Sequence, residues 1–526
     1  MANYQTPGVY VVEKNAFPSS IAEVPTAIPG FVGYTPRASY RGKSYTNKPV
    51  QINSLMEFLI YFGVNDPANP APPPPPLPPE YSPLYYFNEQ KTPPPNDYIS
   101  IAGKYYTVDP DPGTVYYLYN SIRMFYENGG GTCYVVSVGP YGAPTGKSLQ
   151  NGQELVNNNV QLADLTKGLD ALKKIEEVTM LVMPDALLMN EANYSTMMGQ
   201  MLTQANTLQN RFCIFDVQGG DHPDPLQYDK LIETFRTKVG ENYLKFGAAY
   251  FPFLETSLVQ NSEINYTNIA NFAKVVEPLL KADPNASPAV STILGNISST
   301  TDPTPAKALS LENALFNASN MYGHIKEAVL KEVNIQPTSP TMAGIYTATD
   351  NNIGVWKAPA NVSILEAVAP TLKLTSAEQA SLNVDPSTGK SVNAIRFFPG
   401  EGVLVWGART LDGNSQDWRY INVKRTLIMI EQSVKLSAKQ YVFAPNTSNT
   451  WALVKASISN FLTTLWREGA LVGPKPADAF QVSVGLGTTM TAQDILNGFM
   501  RVTVKVAVSH PAEFIVITFQ QEQQQG

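Results

Sequence analysis

The sequence predicts a mixed α/β fold, divided into several domains, with an extended strand arm at each end. Three observations lead there. The chain has 526 residues, 43% of them apolar and 10% aromatic, enough for roughly two to four domains with buried cores. Short apolar runs alternate with helically spaced stretches through the first half, and two strong helices with several strands fill the last third. Each end also carries a short apolar strand set apart by proline.

Residues 1–20 form the first arm. Val9, Tyr10, Val11 and Val12 make a short strand between Pro7-Gly8 and the breaker Phe17-Pro18-Ser19-Ser20. Fully extended, such a segment reaches roughly 60 Å at ~3.3 Å per residue, far enough to pair with a sheet in a different subunit. Ile28 and Phe31-Val32, punctuated by Pro29, Gly30 and Gly33, read as a buried strand. Residues 64–115 differ in character: prolines run from Pro72 to Pro76 and recur at Pro78-Pro79 and Pro93-Pro94-Pro95. Such runs favour polyproline II and supply no backbone donors, so the reading is an inserted, surface-exposed excursion. A solvated loop is the simpler role for it than a docking site for a proline-binding module.

Regular alternation then resumes. Ser121 to Tyr126 suits a helix that ends at Asn128-Gly129-Gly130-Gly131, followed by a strand from Cys133 to Val138. Leu162, Leu165, Leu169, Leu172 and Ile175 have helical spacing, Met180 to Met183 is a strand ending at Pro184-Asp185, and a further helix precedes the strand Phe212 to Asp216. This succession argues for a sheet with helices packed against it. From about residue 340 the pattern changes. A strand at Gly402 to Gly407 precedes an apolar helix stripe at Val423, Leu427, Ile430 and Val434. A second stripe, Trp451, Val454, Ile458, Phe461 and Leu465, stops at Gly469. Strands follow at Phe480 to Val484 and Met500 to Val508. Beyond Pro511, Phe514, Ile515, Val516 and Ile517 begin a last strand before a glutamine-rich tail. The expected division is an arm at 1–20, an α/β region at 21–340 carrying the 64–115 insertion, a mixed-sheet C-terminal domain at 341–508, and an arm with tail at 509–526.

Composition excludes several classes of function. The net charge of −7 and pI near 5.3 argue against a nucleic-acid binder, which would show a basic stripe. Two cysteines cannot form a disulfide framework, and three histidines leave little for a transition-metal site. The first residues have neither a basic nor an apolar signal region, and no apolar run approaches the ~20 residues of a membrane helix. The expectation is a soluble protein made in a cytoplasm, without membrane insertion. Charged residues are only 15% of the chain, against a typical ~25%. Either much of the surface is buried against other copies, or Asn, Gln, Ser and Thr coat it.

The chemistry that tempts the eye is weak. Gly146-Lys147-Ser148 and Gly389-Lys390-Ser391 imitate the end of a phosphate-binding loop, but Tyr141 and Val384 stand where the loop needs its first glycine. Asp185 and Asp216, at strand ends, could imitate magnesium-binding acids, although such ends carry Asp in many α/β domains. No Gly-x-Ser-x-Gly elbow exists, and His222, His324 and His510 lie far apart. Cys133 and Cys213 sit inside apolar strands and read as buried and inert. No catalytic, cofactor or metal residue is assigned, and an enzymatic role is not expected.

Several strings together resemble the tail sheath proteins of contractile phages and phage-tail-like injection systems. They are Thr6-Pro7-Gly8-Val9-Tyr10-Val11-Val12-Glu13, Pro25-Thr26-Ala27-Ile28-Pro29-Gly30, and Asn128-Gly129-Gly130 with Cys133-Tyr134-Val135-Val136. Ala343-Gly344-Ile345-Tyr346-Thr347-Ala348-Thr349-Asp350 and Gly354-Val355-Trp356-Lys357 continue the match. It is densest at Val405-Trp406-Gly407-Ala408-Arg409-Thr410-Leu411, Trp418-Arg419-Tyr420-Ile421-Asn422-Val423-Lys424-Arg425, and Leu465-Trp466-Arg467-Glu468-Gly469. The proline-rich excursion has no counterpart in the shortest sheath proteins.

The resemblance implies a force-generating subunit of a six-start helical sleeve around an inner tube, with baseplate and terminal cap proteins as further partners and no cofactor. It also implies that the arms, through Val9–Val12 and Phe514–Ile517, donate strands to neighbouring C-terminal domains. An α/β nucleotide hydrolase and a static tube or shell subunit are the alternatives. From Gln416 to Lys475 there are eight basic and three acidic residues. Lys424, Lys435 and Lys439, opposite the first apolar stripe, are the candidates for gripping the inner tube.

Overall fold

The computed structural model describes residues 21–65, 80–94, 98–150, 152–301 and 303–516. Val9–Val12, Ile517 and most of the proline run lie outside the described residues. The chain divides into two compact units, one of residues 25–425 and one of residues 1–24 with 426–526.

A nine-stranded sheet frames the large unit. Its strands are β1 Pro29–Gly33, β2 Val50–Ile52, β3 Cys133–Ser137, β4 Met180–Val182, β5 Phe212–Asp216, β6 Gly247–Phe251, β7 Val362–Ser363, β8 Asn393–Phe398 and β9 Gly402–Trp406. Across the sheet they run β7-β9-β8-β6-β5-β4-β1-β3-β2. The six from β8 to β3 are parallel, and β2 joins β3 antiparallel. At the other edge β8 and β9 form a hairpin to which β7 adds antiparallel. Because β8 and β9 belong to this sheet, the chain does not divide near 340 as expected; the large unit continues to Arg425.

Every residue of β1, β3, β5 and β6 is buried, the signature of a parallel sheet covered on both faces. On one face Phe31, Val135, Val182 and Ile214 share a core with Ile122 and Phe125 of helix Leu118–Glu127 and Ile345 of helix Ser339–Asn352. Successive strand residues point oppositely, so Val32 and Val136 face helix Leu162–Leu172, whose Gly168 approaches both closely. The Asn128-Gly129-Gly130 turn is equally tight. Gly129 has φ +87°, and a Cβ on Gly130 would lie 2.6 Å from the Phe125 ring.

The 64–115 insertion is not a surface excursion throughout. Tyr85–Gln90, Ile99–Ile101 and Lys104–Pro110 form a three-stranded antiparallel sheet. Tyr85, Phe87, Ile101 and Tyr106 are buried with Phe272, Leu280, Leu294, Leu315 and Tyr322 in a second core. The alternation Tyr85, Phe87 and the run Tyr105-Tyr106-Thr107-Val108 drive this, a strand signal that proline density on both sides obscures. Within this lobe Lys326 and Glu312 form a buried ion pair at 2.6 Å, and Glu312 also accepts from the Tyr322 hydroxyl and from the Tyr266 N–H.

The small unit holds helix Ser448–Arg467 and the antiparallel pair Phe480–Val484 and Val502–Val506. Val454, Ile458, Phe461 and Leu465 of the predicted stripe are buried, while Trp451 is half-buried and donates from Nε1 to Asn446 Oδ1. The helix ends where expected, with Gly469 at φ +89°.

Candidate assembly interface

The chemistry suggested by isolated motifs is consumed internally. In the loop containing Gly146-Lys147-Ser148, the place of an anion is filled by the chain's own Asp111, which is fully buried. Its Oδ1 accepts from the N–H groups of Gly113 and Thr145 and from the Thr145 hydroxyl, and its Oδ2 accepts from the Gly146 N–H. Backbone amides that would wrap a phosphate are thus already bonded to a carboxylate. In the second imitation, Lys390 is buried, and its Nζ donates to the Arg236 carbonyl at 2.6 Å and to Glu241 Oε1 at 2.8 Å.

The strand-end acids are also engaged by the chain's own backbone donors. In open α/β sheets, ligands bind where the strand order reverses, here between the ends of β1 and β4. Asp185 fills that point. One carboxyl oxygen accepts from the Tyr34 N–H at 2.7 Å, and the other from Tyr117 and Leu118, at a helix N-terminus, at 2.7 and 3.1 Å. A Cβ on Gly33 would lie 2.5 Å from this carboxyl, so glycine permits the approach. Asp216 likewise accepts from the Thr338 and Ser339 N–H groups, both at 2.8 Å. Burial raises Asp185 to about 6 and Asp216 to about 7, against the pull of those donors.

His222 lies between Asp221 and Glu332, at 3.3 and 3.0 Å. Burial disfavours its charged form, but the two carboxylates outweigh that and raise its pKa well above the usual value. His324 is an exposed neighbour of Glu327, and His510 Nδ1 lies 2.9 Å from the Val508 carbonyl. Cys133 and Cys213 are buried, and burial pushes both thiols up, Cys133 to about 12. Among the described residues, no group of three or more His, Cys, Asp or Glu is placed to hold a metal ion.

The small unit also has strand edges to offer. Phe480–Val484 and Val502–Val506 pair only with each other among the described residues, in register from Phe480 opposite Val506 to Val484 opposite Val502. Each therefore presents an outer row of backbone donors and acceptors. Val482 faces the unit's core, while Gln481, Thr503 and Lys505 are exposed. The last described residues, Pro511 to Val516, form no strand, and the rest of the expected arm strand lies outside the described residues. Phe514, Ile515 and Val516 are 72%, 79% and 87% exposed.

The lysine candidates divide. Lys424 is buried, with Nζ 4.3 Å from the Phe246 ring centroid and 5.2 Å from that of Trp418, so it is withdrawn as an external contact. Helical spacing placed it opposite the apolar stripe, but aromatic rings from elsewhere in the large unit cover that side. Lys435 and Lys439 are exposed. Sequence reasoning missed the surface near them: Val442 is 61% exposed, and Phe443, fully exposed, has φ +65°. An apolar pair outside any helical or strand period gave no periodic signal.

Comparison with known proteins gives these features a context. A sequence profile of the phage tail sheath C-terminal domain matches residues 414–522. The tail sheath protein of Burkholderia phage BcepMu is 24% identical over 178 residues, covering 32% of this chain and 37% of that protein. The match thus spans little more than a third of the curated relative's length. A chain of the anti-feeding prophage baseplate in its contracted state superposes with a TM-score of 0.60 at 24% identity, covering 99% of this chain and 100% of that one. A six-fold symmetrised anti-feeding prophage baseplate gives 0.56 at 25% identity, with 99% and 100% coverage. The sheath complex of the PVC extracellular contractile injection system, contracted, gives 0.56 at 24%, covering 99% of both. The chain has, over nearly its whole length, the fold found in contractile injection systems, and its residues 414–522 match the phage tail sheath C-terminal domain.

Proposed function

We propose that this chain is a structural, force-generating subunit of a contractile sheath, polymerising helically around an inner tube. One observation carries the reading: among the described residues, strands Phe480–Val484 and Val502–Val506 pair only with each other, with a bridge from Leu471 to Val508 beyond the end of the second, and Phe514, Ile515 and Val516 are exposed and form no strand. Strand addition between copies satisfies both at once. The arms, Val9–Val12 and Phe514–Ile517, are the donated strands in this reading. Lys435 and Lys439 contact acidic groups on the tube, and baseplate and cap proteins close the ends of the sleeve.

The drive needs no bound fuel in this reading. An extended lattice is held by its partners until a more extensive packing is released, and a modest difference per subunit is multiplied over many copies. Negative-stain microscopy of the purified protein tests the proposal. Long tubes with a cogwheel cross-section are expected, and removing residues 1–20 or 511–526 should leave folded particles that do not polymerise. A monodisperse monomer under all polymerising conditions, or ordered tubes from the doubly truncated chain, would defeat it.

A further inference from the structure

Three of the strings that resemble sheath proteins, 25–30, 343–350 and 418–425, are far apart in sequence and meet at one point. Arg425 Nη1 donates to Asp350 Oδ1 at 2.9 Å, and Nη2 donates to Asp350 Oδ2 at 2.6 Å. The Thr26 hydroxyl donates to the same Oδ2 at 2.6 Å, and Arg425 Nη2 also donates to the Thr26 carbonyl at 3.1 Å. The guanidinium lies 4.7 Å from the ring centroid of Tyr346, whose hydroxyl is bonded to that of Tyr250 at 2.7 Å. Arg425 and Asp350 are 4% and 3% exposed. This is a bidentate, charge-assisted pair with neither charge left open to water.

Its place in the chain gives it meaning. The large unit begins at Pro25 and ends at Arg425, so Thr26 and Arg425 stand at the two points where the backbone enters and leaves it. Asp350, on helix Ser339–Asn352, holds both. Any pull on residues before 25 or after 425 is carried into the large unit through these two crossings.

We propose that Thr26, Asp350 and Arg425 form a clasp that makes the two chain crossings of the large unit open together or not at all. A pair that merely filled the core would stabilise the sheet as a whole. A clasp protects the two crossings selectively and couples them. The inference concerns the single chain and stands whether or not the sheath reading holds.

Amide hydrogen exchange on the purified full-length protein tests it. Asp350→Asn removes the charge that both crossings share, and Thr26→Val removes one hydroxyl at nearly constant volume. Asp350→Asn is expected to speed exchange in residues 25–28 and 424–430 together by roughly a hundredfold, and Thr26→Val by roughly tenfold. Amides of β4 and β5 should keep wild-type rates in both variants. Acceleration at one crossing alone, at neither, or across β4 and β5 as well would overturn the proposal. If Asp350→Asn does not fold, Thr26→Val decides by the same readouts.

Discussion

Phe87→Ala should destabilise the protein as a core truncation does, although residue 87 lies inside the proline-rich insertion. Phe87 is 1% exposed and stacks on Tyr106 with ring centroids 4.7 Å apart and planes 7° from parallel. Its backbone is held as firmly: the Phe87 N–H donates to Asn271 Oδ1 at 3.0 Å, and Asn271 Nδ2 donates to the Phe87 carbonyl at 2.9 Å. Truncating a buried Phe costs about 3–5 kcal/mol, a large share of the ~5–15 kcal/mol that keeps a domain folded. Urea unfolding followed by circular dichroism, together with exchange rates for residues 104–110, measures the loss. Ser100→Ala, on an exposed side chain of the same small sheet, should stay within about 0.5 kcal/mol of wild type. The same logic applies to a larger change. Replacing residues 68–96 by a Gly/Ser linker removes strand Tyr85–Gln90 and should abolish the lobe's protection, whereas replacing only 68–78 should not. A Phe87→Ala penalty below about 1 kcal/mol would refute the argument and restore the insertion as a dispensable excursion.

Other outcomes follow from the closed sites and the exposed lysines. The folded-state pKa of Asp216, about 7, lies above its unfolded value, so the folded chain takes up a proton and stability should fall as pH rises from about 4 to 7. Asp216→Asn should flatten that part of the melting temperature–pH curve, and an unchanged slope would contradict the burial argument. Asp111→Ala strips the acceptor from the Gly113, Thr145 and Gly146 N–H groups and should lower unfolding free energy by about 1–3 kcal/mol in urea titrations; no loss would mean that water replaces it freely. Lys435→Gln with Lys439→Gln should impair co-assembly with inner tubes, and raised salt should mimic the defect in the native protein. Tube decoration indifferent to both changes would remove these residues from the contact.

Local signals and long-range geometry were unequally legible. Strands such as Cys133–Ser137 and Phe212–Asp216 were readable because burial on both faces leaves an unbroken apolar run. Helix Leu162–Leu172 was readable from its leucine spacing, and Gly469 marked a real stop. The lobe sheet was not, because prolines at 72–79 and 93–95 masked the alternation of Tyr85 and Phe87 between them. The division near 340 failed for a different reason: a sheet can recruit β8 and β9 across a long stretch of chain, and no local pattern announces that pairing. Lys424 failed because a helical wheel knows only its own helix, not the Phe246 and Trp418 rings that cover it. Nor could spacing alone bring Thr26, Asp350 and Arg425 together, although each sits in a string that marked the resemblance.

The scarcity of charge, open to two readings in the sequence, becomes sharper in three dimensions. Several of the few charges are inside: Arg211, Arg236, Lys326, Lys390, Arg409, Lys424 and Arg425 are buried, as are Asp111, Asp185, Asp216 and Glu312. Those charges are withdrawn from the surface, while Leu226, Phe443, Leu496, Phe514, Ile515 and Val516 are strongly exposed. Contacts between copies that use such a surface rest on apolar burial and backbone pairing, and salt screens neither. Assemblies of this protein alone should therefore persist from about 0.05 to 0.5 M sodium chloride, a range over which the screening length falls from roughly 14 to 4 Å. Gripping of an inner tube through Lys435 and Lys439 should weaken across the same range. Sedimentation of the protein with and without tubes separates the two responses. If the homopolymer dissolves as salt rises while tube binding holds, charge joins the copies and the apolar surface grips the tube, the reverse of this assignment.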